Sequence, residues 1–307
     1  MKFVTFSSRA ESTNAQPRTL GESVPAELLN CGVATPGLLV TGKDGEQEVV
    51  GLSSLGYRSV RNIIEAGPDA LDRVRKIESS APRVPLSRAT LHAPIPRPPR
   101  VFAIGLNYQK HADESKMAVQ KVPTVFMKLT SSIIGPDALI ILPKISTQPD
   151  YEAEFAVVIG KRGYQIAEKD WKEYVFGYTI VNDVSARDVQ LATSQWTLGK
   201  SFPTFTPMGP AIVTADEVPD PHALDISLTI NGETLQSSNT SDLIFKIPAL
   251  IAHLSSLTPL EAGDIISTGT PEGVGLGRKP QRWLNPDEEI VITVEKVGQL
   301  RNRTIAE

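Results

Sequence analysis

The sequence predicts an α+β protein with a small N-terminal α+β unit (1–80), a Pro/Arg-rich linker (81–100) and a larger β-rich domain (101–307). Three observations carry that prediction. Short β-branched runs at Lys2–Phe6, Gly37–Thr41 and Glu48–Leu52 precede one helical stretch, Ser59–Ile77, with Val60, Ile63, Ile64, Leu71, Val74 and Ile77 at helical spacing. Pro68, after Gly67, divides that stretch in two. Beyond residue 100 apolar runs alternate with turn signals, among them Asn231-Gly232, a two-residue hairpin signature.

The chain is 40% hydrophobic and 21% charged, ordinary for a globular protein. Its net charge of −4 comes from interspersed acids and bases without a basic stripe, which argues against nucleic acid. Cys31 is the single cysteine, so no intramolecular disulfide forms and a reducing compartment, read as the cytoplasm, is expected. With only four histidines, a thiolate or multi-histidine zinc site is disfavoured. The start, MKFVTFSS, reads as a first strand and not as a secretory or transit signal. No apolar run approaches the roughly 20 residues that span a bilayer, so no membrane role is expected.

Residues 81–100 hold six prolines and four arginines, read as an extended linker with solvated charges. Val101–Gly105 is a buried strand that exits toward His111 and Glu114. If a helical turn begins after Tyr108, these two share a face, and a carboxylate beside an imidazole builds a general base. Alone, the pair reads more readily as a surface histidine with a chance glutamate neighbour. Val119–Thr124 reads as a mobile connection, followed by strands at Thr124–Lys128 and Leu139–Leu142.

The segment Asp150–Gly160 organises the rest. Three acids within five residues run directly into a β-branched apolar strand. Alternation puts Glu152 and Glu154 on one face and Tyr151, Ala153 and Phe155 on the other. Adjacent buried carboxylates need a cation. No Lys or Arg is nearer in sequence than Lys144 and Lys161, which makes a hard metal ion the simplest partner. An isolated E-x-E also reads as a solvated strand end; the apolar run behind it is what favours burial.

Glu168–Val175 reads as a surface helix, and Phe176–Asp183 as a strand ending on a carboxylate. A following helical turn would put Arg187 and Gln190 on one face. Lys200 stands among small and apolar residues, where a lysine needs a reason. Asp242–Leu257 reads as an amphipathic helix with a kink or late start at Pro248. The loop Gly269–Gly275 is glycine-rich without the G-K-[ST] of a P-loop, and suits close backbone approach to a small ligand.

In order and spacing, G-L-N-Y-Q-K-H-A-D-E, D-Y-E-A-E-F-A-V-V-I-G, N-D-V-S-A-R-D-V-Q, L-G-K-S-F and T-G-T-P-E-G-V-G resemble the fumarylacetoacetate hydrolase family over about residues 100–307. The segments S-S-N-T and G-L-G-R-K-P are most similar to its domain-containing-2 branch, some members of which are described as oxaloacetate tautomerases. The resemblance implies a rolled mixed β-sheet, a homodimer and Mg²⁺ or Mn²⁺ held by Glu152, Glu154 and Asp183. It implies a water-activating dyad of His111 and Glu114 on a lid, with catalytic Lys200 and substrate contacts from Arg187, Gln190 and Thr270. Pro203 and Leu129 depart from the family pattern. The expected activity is metal-dependent hydrolysis of a C–C bond in a small β-dicarbonyl 2-oxo acid. The alternatives are oxaloacetate tautomerisation or decarboxylation at the same site, and a silent metal-stabilised scaffold.

Overall fold

The computed structural model describes residues 1–8, 34–115 and 120–307. Cys31 and the first residue of the expected mobile connection, Val119, lie outside them.

A twelve-stranded mixed sheet forms the frame. Its path runs from Arg83–Pro85 through Gln47–Gly51, Thr35–Thr41, Lys2–Ser8, Thr206–Thr214 and Val175–Asn182 to Ala153–Ile159, Ile265–Ser267, Val101–Gly105 and Thr124–Lys128. Along this path neighbours are antiparallel except that Ile265–Ser267 runs parallel to Val101–Gly105. A second sheet has five strands, among them the hairpin Asp225–Ile230 and Glu233–Asn239, closed at Asn231-Gly232 as expected. Phe155, Val157, Ile159 and Tyr178 of the first sheet share a core with Ile226, Leu228, Ile290 and Ile292 of the second. On the other face, Ala156, Val158 and Val181 meet Val60, Ile63, Ile64 and Val74 from the helices Val60–Glu65 and Pro68–Ile77. Ala153–Ile159 is therefore covered on both faces, which is why it reads as an unbroken apolar run rather than an alternating one. The α+β class holds.

The linker expectation for 81–100 is corrected. Arg83–Pro85 pairs with Gln47–Gly51, and Ala89–His92 pairs with Lys2–Ser8. Lys2–Ser8 in turn pairs with Thr206–Thr214, so the main sheet continues into the N-terminal unit. Pro85 is tolerated because its strand is the outer edge, where a missing N–H breaks no ladder. Arg100 is not a solvated charge: it ion-pairs with buried Asp264 and lies 5.0 Å above the Phe102 ring.

Two local expectations also shift, and a third holds. Glu168–Tyr174 is a 3-10 helix that buries Trp171. The helix expected from Asp242 starts at Ile247, with Pro248 in its first turn, where no N–H is required. Arg187–Gln190 forms a single turn, preceded by Ser185–Ala186, which pairs with Pro149–Asp150. Among the described residues, no helix is long and apolar enough to cross a membrane.

Candidate active site

The site lies where the Ala153–Ile159 strand emerges from the core. Tyr151, Ala153 and Phe155 face the core between the sheets, which turns Glu152 and Glu154 the other way, as alternation requires. The neighbouring strand pairs Asn182 with Ala153, and the Asp183 N–H donates to the Glu152 carbonyl at 3.0 Å. That register sets Asp183 beside the two glutamates. All three carboxylates are buried, with one oxygen of each within 4.8 Å of the others.

The expectation that no protein cation is close is corrected. Lys200 Nζ lies 2.8 Å from both Glu152 Oε2 and Asp183 Oδ2. Arg187 Nη2 lies 2.5 Å from Glu152 Oε1, and Lys128 Nζ lies 2.6 Å from Asp183 Oδ1. Sheet register brings these cations in from distant sequence, so nearness along the chain is the wrong measure. With Asp150, which binds Arg187 Nε at 2.8 Å, four buried carboxylates face three buried cations. One negative charge remains.

The carboxyl left over is Glu154, which has no ion-pair partner among the described residues and accepts one N–H, from Gly269, at 3.0 Å. Burial, then the charges of Asp183 and Glu152, push its carboxyl well above the usual range. For Glu152 burial also acts upward, but Lys200 and Arg187 outweigh it and hold the group down at about 2. Asp183 Oδ1 touches the Lys128 ammonium yet has no aligned hydrogen bond. Three clustered oxygen-only donors, one of them a carboxyl with no cation of its own, fit a hard divalent cation.

Lys128 was missed in the sequence. It is fully buried and also donates to the carbonyls of Val184 (3.1 Å) and Phe205 (2.8 Å). Lys128→Met leaves Asp183 with one cation fewer, and breaking a buried pair costs roughly 3–5 kcal/mol. Lys200 still faces Asp183, so denaturant unfolding of the metal-free variant is expected to show a loss near 3 kcal/mol, the lower end of that range.

His111 and Glu114 lie on one face of the helix Gln109–Ser115, with Nδ1 3.3 Å from Oε2. The Gly273 N–H lies 3.2 Å from each Glu114 oxygen. Burial pushes the Glu114 carboxyl up, but hydrogen bonds from His111 and Gly273 bring it net below its ordinary value. The glycine-rich loop is shaped for this contact. A Cβ on Gly277 would stand 2.6 Å from Glu114 Cδ, and Gly273 has φ 95° with its Cβ position 2.2 Å from the Leu235 carbonyl. Asp150 fixes the same loop, accepting from the N–H groups of Gly275 (2.7 Å) and Leu276 (3.0 Å). The cluster of acids in the sequence was the available signal for Asp150, whose task is the loop and Arg187.

A pocket of about 90 Å³ opens here, and His111, Glu152, Arg187, Gln190, Lys200 and Thr270 form its polar lining. Glu154, Asp183 and Glu114 lie outside that lining. Arg187 Nη1 donates to Gln190 Oε1 at 3.0 Å, as the shared helical face predicted. Thr270 Oγ1 accepts from Gln236, at 2.9 Å. The remaining lining is apolar and includes Phe126 and Trp196, which sequence reasoning did not single out.

The family described as Fumarylacetoacetate (FAA) hydrolase C-terminal matches residues 100–305. The chain is 45% identical over 250 residues to the rat (Rattus norvegicus) protein named oxaloacetate tautomerase Fahd2a, mitochondrial, covering 81% of this chain and 80% of that one. The human (Homo sapiens) oxaloacetate tautomerase FAHD2A, mitochondrial, is 42% identical over 251 residues with the same coverage. Among solved structures, maleylpyruvate hydrolase from Sphingobium sp. SYK-6, in complex with manganese (II) ion and pyruvate, superposes with TM-score 0.79 at 28% identity, over 100% of this chain and 99% of that one. The compartment in the relatives' names overturns the cytoplasmic expectation. A lone cysteine marks a reducing compartment, and that does not single out the cytosol. Motifs, fold and relatives agree, and the chain belongs to the fumarylacetoacetate hydrolase family of enzymes.

Proposed function

We propose that this enzyme interconverts the enol and keto forms of oxaloacetate, with Mg²⁺ or Mn²⁺ held by Glu152, Glu154 and Asp183. One observation carries the reading over C–C hydrolysis, the activity first expected. Identity to the rat and human tautomerases is 42–45% over four-fifths of each chain, against 28% to the maleylpyruvate hydrolase.

A divalent ion bound there supplies Lewis acidity that stabilises negative charge on the C2 oxygen. Lys200, Arg187 and Gln190 orient the carboxylate and the C2 oxygen through charge-assisted hydrogen bonds. Glu114 holds the His111 Nδ1–H, which leaves Nε2 with the free lone pair. In ketonisation Nε2 takes the enol hydroxyl proton and the resulting imidazolium returns a proton to C3. Thr270 fixes the far side of the acid.

The test is turnover of the purified Mg²⁺ form. The expected result is accelerated loss of enol oxaloacetate absorbance, with kcat/KM above about 10⁴ M⁻¹s⁻¹ and no carbon lost. Pyruvate released from an acylpyruvate at that rate, without acceleration of the oxaloacetate exchange, would make hydrolysis the function instead.

A further inference from the structure

We propose that the enzyme also interconverts the enol and keto forms of 2-oxo acids that carry an apolar group on C3, an aryl ring above all. This rests on the tautomerase reading and adds a second substrate class to the same site.

The pocket has two unlike sides. Lys200, Arg187 and Gln190 serve the 2-oxo acid group that both substrate classes share. Beside them in the lining, Phe126, Trp196 and Leu191 form an uncharged wall. The two sides adjoin: the Lys200 ammonium lies 5.2 Å from the centre of the Phe126 ring. An acid held at Lys200 can therefore lay its C3 substituent, three bonds from the carboxylate carbon, on aromatic surface. A charged substituent gains nothing from that wall and turns to the polar lining of His111 and Thr270. An apolar group instead gains burial, and a ring gains edge-to-face contact.

The position of Trp196 is built and not incidental. Residues 191–195 and Leu198 are exposed, yet Trp196 is half-buried, edge-on to Phe126 at 5.5 Å and 65°. Gly105 makes room for it, since a Cβ there would stand 2.5 Å from Trp196 Cζ3. Gly105 is not among the glycines with positive φ, so its backbone conformation does not call for glycine. The space taken by the indole does. A side chain is given up at the end of the Val101–Gly105 strand, and an aromatic ring stands over the pocket in its place.

The step balances without a co-reactant. The enol O–H bond breaks, a C–H bond forms at C3 with the electron pair of the C2=C3 double bond, and the C2–O bond becomes a carbonyl. Nothing is oxidised or reduced, and the proton carrier is the one used for oxaloacetate.

The experiment uses the Mg²⁺-loaded full chain with enol phenylpyruvate as probe and enol oxaloacetate beside it, for wild type, Trp196→Ala and Trp196→Phe. Wild type is expected to accelerate both exchanges. Trp196→Ala is expected to lower the ratio of phenylpyruvate to oxaloacetate kcat/KM by about tenfold, chiefly through KM, and Trp196→Phe to recover most of it. Acceleration of oxaloacetate alone in the wild type, or an unchanged ratio in Trp196→Ala, overturns the proposal. Acceleration of phenylpyruvate alone sustains it and removes the oxaloacetate reading. Acceleration of neither removes both. The wild-type comparison needs no variant to fold.

Discussion

His111→Ala is expected to lower oxaloacetate turnover by about 10²–10⁴, the usual worth of a positioned general base. Binding of the divalent ion should persist, because His111 sits on the helix Gln109–Ser115 and not among the clustered carboxylates. Glu114→Gln should fall less far, since its amide oxygen still accepts from the Gly273 N–H while losing the charge that steadies an imidazolium. Steady-state kinetics beside titration calorimetry separate the two effects. Full activity in His111→Ala would reduce the dyad to a structural pair that ties the helix to the glycine-rich loop.

Glu154→Gln is expected to move two quantities in opposite directions. Divalent-ion affinity should weaken by at least about tenfold, roughly 1.4 kcal/mol, because a charged ligand is replaced by a neutral one. Stability of the chelator-treated protein should hold or rise. Glu154 is the carboxylate without an ion-pair partner among the described residues, buried against Glu152 and Asp183, so neutralising it relieves repulsion. Calorimetry with Mg²⁺ or Mn²⁺ reads the first quantity and thermal unfolding in chelator the second. A purely structural Glu154 would give the reverse pattern, with stability lost and ion affinity unchanged.

The parts of the fold legible in the sequence were those fixed locally. Alternation around Glu152 and Glu154 decides which side chains enter the core, and the structure places Tyr151, Ala153 and Phe155 there. Pro68 starts a helix after Gly67, and Asn231-Gly232, both with positive φ, closes the expected hairpin. The parts that escaped depend on register between distant strands. Lys128, Arg187 and Lys200 reach the carboxylates from three separate segments, and no window of sequence announces that they meet. Residues 81–100 look like a linker by composition because prolines and arginines suit both an extended linker and an edge strand. Trp196 escaped because its partner is an absence, the missing side chain of Gly105. In the sequence, the chemistry was legible only as an expected enolate. Its fate was not, since hydrolysis and tautomerisation draw on the same carboxylates and the same histidine.

Proton NMR of oxaloacetate in D₂O with the metal-loaded enzyme follows that fate at the reacting carbon. The predicted result is deuterium entering C3 faster than in an enzyme-free control containing the same ion, with the four-carbon skeleton intact and the acceleration lost in His111→Ala. Pyruvate accumulating as the main enzymatic product, or C3 exchange no faster than the control, would contradict it.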